Sequence, residues 1–359
     1  MANRRKRTVA PEAAAREAGL VYVDDREPGI GRARSGRGFR YTTPDGKTIR
    51  DAKVIARIKA LAVPPAWKDV WICSSPRGHI QATGRDARGR KQYRYHSLWR
   101  ETRDRTKYDR IVPFGEALPA IRKRVREGLS LQGLPREKVL AAVVRLLDVS
   151  YLRIGGARYA KENGSFGLTT MRDRHAEVSG GTIRFEFVGK GGKRRTVDVS
   201  DPRIARIVKR CQDIPGQQLF QYLEEDGTRR PIASDDVNAY LREISGEDFT
   251  AKDFRTWAGT VLALRALAPM EAGESDAQTR RSVNEAVEVV AGELGNTVAV
   301  CRACYVHPAV IEAYADGSLA NLRIGRVRTK GLASSDRLRP HEAALLRLLR
   351  GPAARRRAA

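Results

Sequence analysis

The sequence predicts an α+β fold, with an N-terminal domain built on an antiparallel sheet and then a mainly α-helical domain carrying a small β-hairpin insert. Three observations carry that prediction. Between Leu20 and Tyr95, short β-rich runs alternate with turn residues. Beyond Ser97, apolar residues recur at helical spacing. One alternating run, Thr182–Val188, interrupts the helical part. With 359 residues and 41% hydrophobic content, the chain is long enough for two domains with substantial cores.

Residues 1–19 read as a basic arm containing an alanine-rich segment at 11–18. A β-rich domain follows at 20–97. In it, Pro44-Asp45-Gly46 is a turn flanked by strand-like residues from Tyr41 to Ile49. Ile55–Ala62 is a short helix closed by Pro64-Pro65, and Val70–Cys73 with His79–Thr83 forms a hairpin across Ser74–Gly78. The helical domain spans 98–320. Leu118–Gly128 and Arg136–Leu147 are helices, the latter with Val139, Val143, Leu146 and Leu147 at helical spacing. In Thr182–Val188, residues Ile183, Phe185 and Phe187 share one face, and Arg195–Val199 returns against them. The connection Gly189-Lys190-Gly191-Gly192-Lys193 presents two lysines at a hairpin tip. Asp235–Ile244, Phe254–Leu267 and Ser282–Leu294 are further helices, and Gly295 stands where a C-cap glycine belongs. From 321 to 359 the chain reads as a basic tail, with eleven Lys and Arg against Asp336 and Glu342. No internal repeat is visible.

The chain carries 68 Lys+Arg against 42 Asp+Glu, a formal charge of +26. Such an excess favours a polyanionic partner, because each cation set against a phosphate releases a condensed counterion. A merely soluble basic protein is the plainer reading. No run approaches the roughly 20 apolar residues of a spanning helix, so no membrane association is expected. The basic start, Met-Ala-Asn-Arg-Arg-Lys-Arg, lacks a following apolar stretch, so no secretory signal is expected. Four cysteines in a chain this long make no disulfide framework and suit a reducing cytosol.

Arg77–Arg110 holds eleven basic residues against four acidic ones. Within it, Gly89-Arg90-Lys91-Gln92-Tyr93-Arg94-Tyr95 interleaves Gln and Tyr with cations. Cations grip phosphates, Gln pairs with adenine edges and Tyr stacks or hydrogen-bonds; a solvated basic strand is the alternative. In Tyr151–Tyr159, Arg153 lies between Leu152 and Ile154 at the end of an apolar helix. A guanidinium buried there needs an anion, either an internal carboxylate or a ligand. Glu162–Thr170 reads as a structural Gly/Ser turn. Cys301-x-x-Cys304 lacks a second pair, and His307 would be only a third ligand, so no metal site is expected. Gly189–Lys193 lacks the spacing of a phosphate-binding P-loop, so no nucleotide cofactor is indicated. Cations around a tyrosine do have a chemical logic: arginines neutralise a pentacoordinate phosphorane, lysine protonates a leaving alkoxide, and tyrosine is a covalent nucleophile. Composition alone does not select Tyr305 over Tyr151, Tyr240 or Tyr314.

In their order along the chain, from about Leu20 to Ser318, these motifs resemble those of type IB DNA topoisomerases of the compact bacterial and poxvirus kind. Gly89–Tyr95 resembles the N-terminal DNA-contact segment, which implies that Gln92, Tyr93 and Tyr95 touch DNA, with Tyr159 as a further contact. Leu152–Tyr159 with Gly164–Met171 resembles the block of the first catalytic arginine, Arg153. Phe187-Val188-Gly189-Lys190 resembles the hairpin of the catalytic lysine, Lys190 in preference to Lys193. Lys252-Asp253-Phe254-Arg255-Thr256 resembles the second-arginine motif, giving Arg255. Leu294–Thr297 with Cys301–Pro308 resembles the nucleophile block, giving Tyr305 and Asn296. Two departures stand out. Asn296 occupies the place of a histidine in the poxvirus pattern, and an amide donates a hydrogen bond without carrying charge. Gly156 replaces a base-contacting lysine, which favours relaxed sequence preference.

The resemblance implies relaxation of supercoiled DNA through a 3′-phosphotyrosyl intermediate, with no ATP, metal or other cofactor. It also implies a cytoplasmic, nucleoid-associated monomer that clamps double-stranded DNA and flexes around Leu98–Val112 to load. Two other readings are a tyrosine recombinase, which usually has His-x-x-Arg where this chain has Lys252-x-x-Arg255, and a non-catalytic architectural DNA-binding protein.

Overall fold

The computed structural model describes residues 11–87, 89–271, 273, 275–325 and 336–351, with the side chains of 103–106 left aside. Residues 1–10 of the expected arm, and the tail segments 326–335 and 352–359, lie outside the described residues. The chain divides into two compact units, Met1–Lys107 and Tyr108–Ala359.

In the first unit, α1 (Pro11–Glu17) buries Ala14 and Ala15 with Leu20 and Trp99. A five-stranded antiparallel sheet follows in the order β2-β1-β3-β4-β5. Its strands are β1 (Ile30–Ser35), β2 (Gly38–Thr42), β3 (Lys68–Ile72), β4 (Ile80–Arg85) and β5 (Lys91–Tyr95). Between β2 and β3 runs α2 (Ala52–Ala60), capped by the Asp51 carboxylate, which accepts from the Lys53 and Val54 amides. Ile58 of α2 joins Ile30, Val70, Ile72 and Ala82 in the core of the sheet. The expected β3–β4 hairpin is present. The expected Pro-Asp-Gly turn forms too, but beyond it the chain meets β2 through one bridge, Thr42 to Thr48, and one bond from the Ile49 amide to Tyr41 O, and makes no strand. The partner of β2 is β1, which the sequence hides because only Ile30 of that strand is buried, leaving no alternation to read.

The division between the units falls within α3 (Ser97–Asp109), past the Ser97 boundary expected from composition. The Leu98–Val112 stretch, expected as a linker, is mostly this helix. In the second unit, α4 (Ile111–Ser130), α5 (Arg136–Ser150) and α6 (Ala157–Asn163) come first. A three-stranded sheet in the order β6-β7-β8 follows: β6 (Ala176–Ser179), β7 (Thr182–Val188) and β8 (Arg194–Ser200). The expected hairpin is β7–β8, with Ile183, Phe185 and Phe187 facing the core, and β6 adds an unforeseen third strand. Next come α7 (Pro202–Gln212), the small ribbon β9 (Gln221–Leu223) and β10 (Arg229–Pro231), and α8 (Ser234–Ser245). The remaining helices are α9 (Ala251–Leu267), α10 (Asp276–Leu294), α11 (Val298–Cys304), α12 (Pro308–Ala315) and α13 (Pro340–Arg350). α5 and α9 are buried on nearly every side, which explains why both are apolar well beyond one helical stripe.

The basic tail expected from residue 321 is in part a packed element, because α13 buries Ala344, Leu345, Leu346 and Leu349. It also delivers Glu342 into a buried ionic cluster. Arg122 on α4 grips Asp148 on α5 through Nε (3.0 Å) and Nη2 (2.8 Å). It grips Glu342 through Nη1 (2.8 Å) and Nη2 (2.7 Å). Burial alone would push the Asp148 carboxyl up, but the charges of Arg122 and Arg339 outweigh it and hold the group at about 2. No described helix is long and apolar enough to cross a membrane.

Two outcomes follow from this cluster. Glu342→Ala removes one of the two carboxylates that neutralise the buried Arg122 guanidinium, and should cost about 3–5 kcal/mol in urea unfolding. Because the folded Asp148 carboxyl lies below its ordinary value of 3.8, its contribution is complete above that pH and is lost as pH falls through about 2. Asp148→Asn should therefore flatten the acid limb of the stability–pH curve, measured by denaturant titration at each pH.

Candidate active site

Three chain turns in the second unit meet around one buried arginine. α5 ends at Tyr151, a non-glycine residue in the left-handed region (φ 56°). This turn sends Leu152 into the core and brings Arg153 out half-buried. The extended chain after it is held when Leu168 and Thr169 donate their amides to the carbonyls of Arg153 (2.9 Å) and Ile154 (2.7 Å). α10 ends at Gly295, whose φ of +61° suits a residue without Cβ, and Asn296 then donates its amide to Ala291 O (3.0 Å). Arg255, in the first turns of α9, is 5% exposed and joins these two ends: Nη1 donates to Tyr151 O, and Nη2 to Leu294 O (2.9 Å). Arg153 in turn donates through Nη2 to Asn296 Oδ1.

Tyr305 closes the group from the end of α11. Its amide donates to Cys301 O (2.9 Å), and its ring centroid lies 5.1 Å from Arg255 Cζ. The Thr260 hydroxyl lies 3.1 Å from Tyr305 O and accepts from the His307 amide (3.2 Å). At Gly259 the α9 backbone passes so close that an added Cβ would fall 2.8 Å from Tyr305 Cβ. Gly259 and Thr260 thus lie about one helical turn beyond Arg255 on α9. On the next residues, the Tyr108 hydroxyl donates to Val306 O (2.7 Å) and its ring meets the His307 ring edge-on at 4.8 Å.

The electrostatics of this group are unbalanced. Burial, then the charge of Arg255, lowers the Arg153 pKa, and the same two causes lower that of Arg195. Among the described residues, no carboxylate forms an ion pair with Arg153, Arg195 or Arg255. What offsets them is the negative ends of α5 and α10, whose last carbonyls face the guanidinium groups. Arg255 Nε and Asn296 Nδ2 are buried donors without an acceptor among the described residues. Half-neutralised cations with spare buried donors make a site for an oxyanion such as a phosphodiester. Burial pushes the neighbouring Cys301 thiol up, so it adds no competing negative charge.

The structure therefore brings together Arg153, Arg255, Asn296 and Tyr305. Lys190 stands apart, exposed at the β7–β8 tip with Nζ 6.0 Å from the Tyr159 ring, so these two expected residues adjoin each other. In the first unit, Tyr93 and Tyr95 stack on one face of β5 (5.8 Å between centroids), both well exposed. Gln92 lies on the opposite face, where its amide donates to Asp86 Oδ2 (3.0 Å). Cys301 and Cys304 are free, one buried and one exposed, and His307 Nδ1 accepts from the Ala309 amide (3.1 Å). Among the described residues, no three His, Cys, Asp or Glu side chains gather to hold a metal ion. Sequence reading missed Thr260, Tyr108 and Arg195 as supports of the site. Only Gly259, an isolated glycine inside an apolar helix, carried a legible signal of close approach.

Residues 96–324 match the family described as eukaryotic DNA topoisomerase I, catalytic core, and residues 38–86 match the bacterial DNA topoisomerase IB N-terminal domain. The DNA topoisomerase 1B of Acanthamoeba polyphaga mimivirus is 31% identical over 294 residues, covering 80% of this chain and 87% of the viral protein. That of vaccinia virus (strain Copenhagen) is 23% identical over 237 residues, covering 65% and 72%. The DNA topoisomerase 1 of Mycosarcoma maydis is 25% identical over 193 residues, 47% of this chain and 19% of that much longer protein. The fold and the matches together define a DNA topoisomerase. The chain belongs to the type IB family, in its compact bacterial and poxvirus-like form.

Arg255 offers a direct check of this geometry. Arg255→Ala should lower the rate of DNA cleavage about 10²–10³-fold, the usual effect of removing one oxyanion donor. It should also cost about 1–3 kcal/mol of stability through the carbonyls it leaves unpaired. Arg255→Lys keeps the charge but loses the fork, so it should restore little of the cleavage rate in a single-turnover assay.

Proposed function

We propose that the enzyme relaxes supercoiled double-stranded DNA by reversible transesterification on Tyr305. The phenolic oxygen attacks a backbone phosphorus in line, giving its proton to solvent, and the P–O5′ bond breaks. The products are a 3′-phosphotyrosyl link and a 5′ oxygen that leaves as a hydroxyl, with Lys190 supplying its proton. Arg153 and Arg255 carry the charge that develops on the non-bridging oxygens, and Asn296 donates a neutral hydrogen bond to them. The cut strand rotates about the intact one, and the 5′ hydroxyl then attacks the phosphotyrosine to reseal. The energy of the phosphodiester is held in the covalent link, so the cycle consumes no ATP and calls for no divalent metal.

The observation that carries this reading is the convergence of Arg153, Arg255 and Asn296 beside the Tyr305 ring, with two buried donors still unpaired. In the first unit, the exposed Tyr93–Tyr95 pair supports a DNA-facing role for β5, with Gln92 joining once released from Asp86. Tyr159 beside Lys190 supports a DNA contact close to the leaving group. We propose that the enzyme clamps the duplex as a monomer, in a cytoplasmic, nucleoid-associated setting.

The test is trapping with detergent on supercoiled plasmid, with EDTA present and ATP absent. Wild type should give relaxed topoisomers and a denaturation-resistant protein–DNA adduct, and Tyr305→Phe should give neither while still binding DNA. Relaxation by the Tyr305→Phe protein would refute the assignment.

A further inference from the structure

Arg195 lies on β8, just past the turn that carries Lys190, opposite the buried Phe187 in the register. Its neighbour Arg194 is exposed and paired with Glu186 (2.9 Å), as a hairpin arginine facing solvent would be. Arg195 does something else. Its Nη1 donates to Gly292 O (3.0 Å) and its Nη2 to Glu293 O (2.9 Å), across nearly a hundred residues of chain. These are the carbonyls at the end of α10, immediately before the Leu294 carbonyl that Arg255 takes. The guanidinium lies so tightly over the following turn that a Cβ on Gly295 would fall 2.4 Å from Nη1. At its other end, Cγ would meet a Cβ on Gly189 at 3.2 Å. One side chain therefore touches the residue before Lys190 and the residue before Asn296.

We infer that Arg195 is a positioning residue that locks the hairpin of the general acid to the end of α10, setting Lys190 against the arginines that bind the phosphate. The inference rests on the role of Lys190 proposed above. The turn from Gly189 to Lys193 is glycine-rich, and beyond the buried Gly189 it is exposed, so the tip has little packing of its own to fix its direction. Two charge-assisted bonds from a planar fork supply that direction at the root of the hairpin. A misplaced general acid should slow the departure of an alkoxide more than the attack on phosphorus, because only the former waits for a proton.

The experiment compares single-turnover cleavage of a duplex with an ordinary phosphodiester and of the same duplex with sulfur in place of the bridging 5′ oxygen. A thiolate leaves without protonation. Arg195→Ala should cleave the ordinary duplex about 10–100-fold more slowly than wild type, the loss expected of a mispositioned proton donor. On the sulfur-bridged duplex it should fall within a few-fold of wild type, and Lys190→Ala should show the same pattern. Arg195→Lys, which keeps the charge but lacks the planar fork, should lie between, and it serves as the test if the alanine variant does not fold. An unchanged rate on the ordinary duplex would overturn the inference, as would an equal loss on both duplexes, which marks general damage to the site. If wild type cleaves but Lys190→Ala is not rescued by sulfur, the assignment of Lys190 itself fails, and the role of Arg195 falls with it.

Discussion

Arg153, Asn296 and Tyr305 are each tied, directly or through one neighbour, to the buried guanidinium of Arg255. It lies between the ends of two helices, donating to Tyr151 O at the end of α5 and to Leu294 O at the end of α10. Arg153 leaves the first of these ends and Asn296 the second, and the two then bond to each other. Tyr305 lies against the guanidinium face. The arrangement uses the negative ends of two helix dipoles in place of carboxylates. A carboxylate would neutralise the arginine, whereas helix carbonyls hold it and leave much of its charge for a ligand.

The contrast with Arg122 shows the same chemistry used for the opposite purpose. Arg122 is equally buried, but two carboxylates, Asp148 and Glu342, share its fork at 2.7 to 3.0 Å. That cluster is saturated and binds α4, α5 and α13 together. Asp148 sits five residues before Arg153 on the chain, and Trp257 Nε1 on α9 reaches Glu342 Oε1 at 3.4 Å. The structural cluster thus braces both helices that deliver the candidate arginines Arg153 and Arg255. Rigidity behind the site and unsatisfied donors within it are complementary conditions for electrostatic preorganisation.

Legibility in the sequence followed the range of the interaction. Helices α8, α9 and α10 and the β7–β8 hairpin were readable because their periodicity and turn glycines are local. Strand β1 was not, since its pairing is not marked by alternating burial. The packing of residues 340–350 was hidden because the tail around them reads as basic, although Ala343–Leu349 is mostly apolar. Leu345, Leu346 and Leu349 count as core only once α4 and α9 are there to cover them. The site residues Arg153, Lys190, Arg255, Asn296 and Tyr305 were reached through the order of motifs, because no local pattern separates Tyr305 from other tyrosines. The supports Arg195, Thr260 and Tyr108 had no pattern at all, since each acts on a partner 45 residues or more away.

By itself, the sequence determined the chemistry available to this protein: a charge of +26 that calls for a polyanion, and the α+β order of its elements. Composition and periodicity are properties of neighbouring residues, so they survive without a fold. Motif order named Arg153, Lys190 and Arg255 among 68 cations, but that Arg195 joins the two arginines was decided only by the tertiary structure. Arg153, Arg195 and Arg255 come from separate segments, and in a partly buried place the charge of Arg255 adds to burial in lowering the pKa of both Arg153 and Arg195. Electrostatic coupling of that kind depends on distance and burial, and neither quantity exists until the helix ends meet.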